Sequence, residues 1–298
     1  MSLPISSVPD DNQDCDNTGD KKRDNKPDER ILTIALSVQA KEYPQRFLWA
    51  KDNAFALEYT PEPLSPALIP SHVKPFIEVG IPVRYHCRLF NHEMGNADIA
   101  KAEQALHIHE GIIDAITGLG DPVITVHLNL VSTMPFDVQT GIANLSRLVE
   151  YGQKRDVIVC LENLRRGAAS DPHTVLSWAK TSGAMITMDI GHAVSSEIVN
   201  SGMMAVSDLV DIFHEKLHEV HIYGREEDRH DPIENITPLE AVIDRLLKTQ
   251  CRWWTIELDD FEEALSTRDI LTAFLKCRDG AVTIANGVNR KTKIKIKE

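Results

Sequence analysis

Short apolar, β-branched runs recur from one end of the chain to the other: ILTIALSV (31–38), AFALEYT (54–60), IPVRYHCRL (81–89), VITVHLNL (123–130), VIVCLENL (157–164), MITMDIGH (185–192), EVHIYG (219–224) and WWTIELD (253–259). Their near-continuous apolarity suits strands covered on both faces, as in a parallel sheet, because a sheet with one wet face would alternate more cleanly. Helical patterns separate them. In NADIAKAEQALHIHEGIIDAITGLG, Asn96 is placed to cap a helix, Ile99, Ala102, Leu106, Ile113 and Ile116 follow helical spacing, and Gly118 or Gly120 can end it. TPLEAVIDRLL offers Thr237 as N-cap, Pro238 at the first helical position and Glu240 to complete a capping box. Ser170, Pro172 and Gly183 repeat that logic in SDPHTVLSWAKTSG. Eight strands alternating with helices predict an α/β fold, a (β/α)8 TIM barrel, over residues 31–280. A doubly wound open sheet would need a Gly-rich phosphate turn after a strand, and the chain has neither GxGxxG nor a P-loop.

The flanks differ in composition. Residues 1–30 hold no apolar stretch and are rich in Asp, Asn and Lys, which predicts a disordered N-terminal leader rather than a signal peptide. Residues 281–298 form a basic C-terminal tail with Arg290, Lys291, Lys293, Lys295 and Lys297, expected to be an exposed tail or an added edge strand. The five cysteines, Cys15, Cys87, Cys160, Cys251 and Cys277, show no CxxC spacing, so free thiols and a cytoplasmic location are expected. No apolar run is long enough to span a membrane. A net charge of −13 disfavours nucleic acid, without excluding it, and points to a small-molecule substrate.

Candidate chemistry sits late in the apolar runs, where a barrel places its active site. His86, His127, Glu162, Asp189, His192, His221 and Glu257 fall near the ends of six successive runs, and the following segment REEDRHDP adds Asp228 and His230. Converging buried carboxylates repel one another and lose hydration unless a cation lies among them; neutral imidazoles complete a mixed ligand set for a divalent metal ion, manganese, zinc, cobalt or magnesium. Glu58 also falls near a strand end, where it can reach the mouth or pair with an arginine. Trp49, Trp178, Trp253 and Trp254 read as core, and His107, His109, His214 and His218 as packing or surface residues of helical stretches.

CLENL, MDIGH, EVHIYG and TIELD resemble strands of the xylose isomerase-like barrel superfamily, which contains sugar isomerases and epimerases, inosose dehydratases and the endonuclease IV type of apurinic-site nuclease. The resemblance spans residues 31–278 and implies a (β/α)8 barrel. By resemblance to its ketose epimerases, Glu162, Asp189, His221 and Glu257 hold the metal. Glu162 and Glu257 also serve as catalytic acid and base through an enediolate, with His192, His86 and His127 on the substrate side. The leading expectation is thus an isomerase or epimerase of a sugar, polyol or sugar phosphate. The alternative is an endonuclease IV-like phosphodiesterase with a multinuclear zinc site, to which the resemblance also brings His86, His127, His192, Asp228 and His230. His127 is followed by Leu-Asn where the nuclease pattern has Pro-Gly, which argues for the first.

Overall fold

In a computed structural model, which describes residues 30–278 and 282–285, the apolar runs become strands β1 (Arg30–Gln39), β2 (Ala56–Thr60), β3 (Val83–Cys87), β4 (Val123–Val126), β5 (Ile158–Glu162), β6 (Met185–Asp189) and β7 (Leu217–Ile222). A two-stranded antiparallel hairpin follows, β8 (Arg225–Glu226) with β9 (His230–Asp231), and then β10 (Trp253–Ile256) and β11 (Val282–Ala285). Strands β1 to β7 pair in order, all parallel, and β10 closes the ring between β7 and β1. This is a closed eight-stranded (β/α)8 TIM barrel, as the alternation of elements predicts.

Several expected runs extend past their strands because Leu128, Leu164 and Ile190, though in loops or a following helix, are buried and therefore equally apolar. Strand β11 pairs with Arg30–Thr33 at the start of β1, an added strand within the expected basic tail. The rest of that tail and the expected leader, apart from Arg30, lie outside the described residues. Cys87, Cys160, Cys251 and Cys277 are free thiols, and Cys15 is not among the described residues. No described helix is long and apolar enough to cross a membrane.

Three expected caps move. Asp98, not Asn96, caps the helix Ile99–Ile116 by accepting from the amides of Ala100 and Lys101, while Asn96 Oδ1 holds the Asp98 amide. Asp171 replaces Ser170 as cap of the helix Pro172–Ser182, because the Ser170 hydroxyl is turned back onto the Gly167 carbonyl. Thr237 begins a 3-10 turn ahead of the helix Glu240–Leu246 and makes no box with Glu240, which pairs with Arg278 instead. Gly183 ends its helix at φ 84°, the left-handed region a side chain disfavours. Trp178, Trp253 and Trp254 are buried and Trp49 partly so. His109 is buried with its Nδ1 on the Ala105 carbonyl, whereas His218 lies on β7 rather than in a helix.

Period-two alternation along the strands builds the interior. Leu57, Tyr85, Val126, Leu161, Met188, Val220 and Ile256 share one parity and pack in the hydrophobic core. Residues of the other parity meet across the barrel, between strands that are not neighbours: Arg84 with Glu219, Thr125 with Thr187, and Glu58 with His221. The inside is therefore polar in successive ranks, and the rank at the C-terminal ends of the strands carries the chemistry.

Candidate metal centre

Glu58, His86, Glu162, Asp189 and His221 are each buried at the last or nearly last inward position of a strand, and Glu257, also buried, stands just beyond β10. His127 stands just beyond β4 on the same parity. Burying so many titratable groups together is unfavourable unless each polar atom finds a partner, and the histidines show how the ring atoms are shared. His127 Nδ1 lies 3.2 Å from the Cys87 carbonyl, His192 Nδ1 2.9 Å from the Asn163 carbonyl and His230 Nδ1 2.9 Å from the Glu257 carbonyl. On His221 it is Nε2 that is held, 2.9 Å from Glu58 Oε1. Each of these acceptors takes a ring N–H and leaves the opposite nitrogen facing the carboxylates, the arrangement that fixes tautomer and orientation in metal-ligating histidines.

The free nitrogens converge on two oxygens of one residue. Glu162 Oε1 lies 3.2 Å from His221 Nδ1, while Glu162 Oε2 lies 2.8 Å from His127 Nε2 and 3.2 Å from His86 Nε2. His86 spans the two glutamates, with Nδ1 3.0 Å from Glu257 Oε1. His86 Nε2 and His127 Nε2 approach to 3.3 Å, where at most one can donate.

Among the described residues, donor atoms within 4.8 Å of one another form four sets: Glu162, Asp189, His221 and Glu257; His86, His127 and Glu162; Glu58, His86, His221 and Glu257; and His192, Glu226 and His230. Five buried atoms of these residues, Glu58 Oε2, His86 Nδ1, Glu162 Oε2, Asp189 Oδ2 and Glu257 Oε1, make no hydrogen bond. Several nonetheless lie about as close to a partner as a hydrogen bond would bring them. Approach without alignment is what donors aimed at a common point give, so the residues fit a divalent cation, with a mixed imidazole and carboxylate set that zinc or manganese accepts.

The electrostatics agree. Burial pushes Asp189 up to about 8, with the Glu162 and Glu257 carboxylates adding to it against His192 and His221. Burial also works against charge on Glu162 and Glu257, but His221 with His127, and His221 with His86, outweigh it and hold both carboxyls well below the usual range. His86 is carried up to about 9 and His192 to about 10 by carboxylates that overcome desolvation, whereas burial lowers His127. Without a cation, protons on the imidazoles balance the carboxylates.

Nearly every residue singled out from the sequence is brought together here, with one exception. Asp228 lies exposed in the turn of the β8–β9 hairpin and joins no donor set. Glu226, which the sequence reading passed over, takes its place: Oε2 lies 3.3 Å from His192 Nε2 and 3.3 Å from Arg165 Nε. The signal was hairpin register, since antiparallel pairing sets Glu226 opposite His230 while Asp228 falls at the turn. Glu58 meets His221 and not an arginine. Glu219, two positions before His221 and also unforeseen, binds Arg84 beneath the site.

The xylose isomerase-like TIM barrel family model matches residues 49–276. An uncharacterized protein of Methanocaldococcus jannaschii is 31% identical over 180 residues, which cover 60% of this chain and 77% of that protein. Among solved structures, a D-tagatose 3-epimerase-like protein superposes with a TM-score of 0.68 at 18% identity, covering 82% of this chain and 97% of the other. Endonuclease IV from Thermus thermophilus superposes with a TM-score of 0.62 at 15% identity, covering 82% and 99%. At such identities these two structures speak for the fold alone. The chain belongs to the xylose isomerase-like TIM barrel family.

Proposed function

We propose that the protein is a metal-dependent hydrolase of small phosphoesters that works with at least two divalent ions, zinc being the best match to its donors. The observation that carries this reading is the division of Glu162 between two donor sets, Oε1 with His221 and Oε2 with His86 and His127. A carboxylate facing ligands on both sides would suit a site of two ions, and His86 stands between the two glutamates, 3.2 Å from Glu162 and 3.0 Å from Glu257. Two bound ions would supply Lewis-acid charge to a phosphoryl group in an in-line displacement.

The chain's own residues set the geometry of that site. Glu58 turns His221 so that Nδ1 faces inward, and the carbonyls of Cys87, Asn163 and Glu257 do the same for His127, His192 and His230. Asn163 also takes the Asp189 amide on Oδ1 and donates to the Asp189 carbonyl, which pins the end of β6 to β5. Burial of the ligands keeps bulk water from competing for the donors. The net charge of −13 favours a small substrate over a nucleic acid.

Metal analysis of purified protein together with hydrolysis of bis(p-nitrophenyl) phosphate tests the reading. Two or three zinc ions per chain and turnover abolished in Glu162→Gln are expected. A second reading, a single-metal isomerase or epimerase of a sugar, polyol or sugar phosphate with Glu162 and Glu257 as acid and base, is favoured by the completeness of the Glu162, Asp189, His221 and Glu257 set on its own. One ion per chain with ketose interconversion and no phosphoester turnover would establish it in place of the first.

A further inference from the structure

Two cavities lie at the barrel mouth beside the donor sets, and they differ in how far their buried or half-buried arginines are paired. One, of about 340 Å3, lies toward the β8–β9 hairpin and is lined by Arg165, Arg225, Glu226 and Glu227 among others. Two of its three arginines are engaged, while the third, Arg166, is exposed and makes no ion pair among the described residues. Arg165 donates to the carbonyls of Glu226 and Glu227 and pairs with the Glu226 carboxylate, and Arg225 pairs with Glu227 and Asp231.

The other cavity, of about 260 Å3, opens above β1, β2 and β3 and is lined by Gln39, Lys41, Thr60, Glu62, Arg88 and Asn91 among others. Neither Lys41 nor Arg88 has an ion-pair partner among the described residues. The contact shown for Arg88 is a loose one with the exposed ring of Phe90, at 5.8 Å. Gln39 and Thr60 are register partners and lie two positions after Ser37 and Glu58, and Arg88 lies two positions after His86. The cavity thus continues the inward rank of the donor sets by one step of each strand, about 7 Å along it. Arg88, half-buried, makes no ion pair even though Glu62 also lines the cavity, so its guanidinium is open to an anion from outside.

We propose that this cavity is a subsite for a second anionic substituent, a phosphate or carboxylate, on the phosphoester bound at the metal centre. The inference rests on the phosphoester reading and narrows its substrate class to small esters that are anionic at two places. Arg88 supplies a planar fork that matches two oxygens of a phosphate, Lys41 a point charge, and Gln39, Thr60 and Asn91 neutral donors. Glu62, also in the lining, leaves the cavity with a net charge of only one and limits how much anion it tolerates. The volume falls below the roughly 300–1,000 Å3 of a site that encloses a whole ligand, which suits a substituent.

Calorimetric titration of the full chain with inorganic phosphate, after removal of metal by a chelator, tests this without relying on catalysis. Phosphate is expected to bind the untreated sequence and to bind Arg88→Gln and Lys41→Gln each about 10- to 100-fold more weakly. Glu62→Gln is expected to tighten it. Circular dichroism of both variants reads any folding effect, and Lys41→Gln, at an exposed site, carries the test if Arg88→Gln misfolds. Absence of phosphate binding, or affinity in both cation variants unchanged from that of the parent protein because phosphate sits among the protonated histidines, overturns the subsite. A protein that binds phosphate through Arg88 and Lys41 yet takes up no metal would instead overturn the hydrolase reading alone.

Discussion

Two ranks of polar residues lie one above the other inside this barrel, built by the same alternation, yet only one is closed on itself. In the lower rank Arg84 reaches Glu219 at 3.4 Å and Asp121 at 2.7 Å and rests over the Trp253 ring at 4.5 Å. Thr255 donates to Glu219, and Thr125 meets Thr187. Burial works against the Arg84 charge, but Glu219 and Asp121 outweigh it and raise its pKa. The protein supplies its own cation there. Two positions further along the strands there is no arginine or lysine among the buried polar residues, only histidines and carboxylates, with five orphaned atoms. Burial of charge by itself therefore says little about function; burial of carboxylates without a fixed cation is the informative case.

The most forceful way to break this contrast is to remove a carboxylate from the upper rank and the cation from the lower. Glu162→Gln is expected to lower phosphoester turnover by about 1,000-fold or more and to reduce the metal bound per chain, since Glu162 serves two of the four donor sets and the amide keeps neither its charge nor both of its oxygens. Metal analysis and steady-state kinetics read both effects; full metal content with normal turnover would remove Glu162 from the centre. In the lower rank, Arg84→Met should leave metal content intact and act on stability, at about 3 kcal/mol, because the Glu219 carboxyl is left buried without its cation. The loss has a pH dependence of known sign. Burial, helped by Glu58, already pushes Glu219 up to about 8, so the carboxyl keeps a proton below that pH and the missing cation matters most above it. Denaturant unfolding at pH 6 and pH 9 should show the larger deficit at pH 9, and a metal-depleted Arg84→Met protein would erase the distinction between the ranks.

Between the ranks stands Glu58, bound to His221 above and beside Glu219 below. Glu58→Gln is expected to weaken metal affinity about 10- to 100-fold, the usual effect of losing the acceptor behind a ligating histidine. Competition with a chromophoric chelator measures it, and unchanged affinity would mean that His221 needs no such support. The sequence left Glu58 undecided for a physical reason: a strand position tells which way a side chain points and not which strand it meets across a barrel. The same limit hid Arg84 and Glu219, which face each other from β3 and β7. What alternation could reveal, it did, and His86, His127, Glu162, Asp189, His221 and Glu257 all stand where the strand ends put them. Asp228 misled because its spacing to His230 resembles a ligand pair, whereas a tight hairpin turns that position to solvent and brings Glu226 in. The order of the two functional readings turned on a detail no linear pattern holds, the separate engagement of the two Glu162 oxygens.

The smallest expected effect, step for step, is also the one that separates the ranks most finely. Metal ligation needs neutral imidazole, so any proton held by a ligand in the metal-free protein must leave as the ion enters. His86 holds such a proton up to about 9, because Glu257 and Glu162 outweigh the desolvation that would otherwise remove it. Metal affinity is therefore expected to rise with pH by at least tenfold per unit, about 1.4 kcal/mol, between pH 6 and 8, and to lose part of that slope once His86 titrates. In His86→Asn the slope should fall by about one proton, while in Arg84→Met, whose change lies below the donors, it should stay as it was. Calorimetry in buffers of different ionisation enthalpy counts the protons directly. Release of none at pH 7 would mean that the upper rank is already balanced without a cation, like the lower one, and the case for a metal centre in this barrel would fall with it.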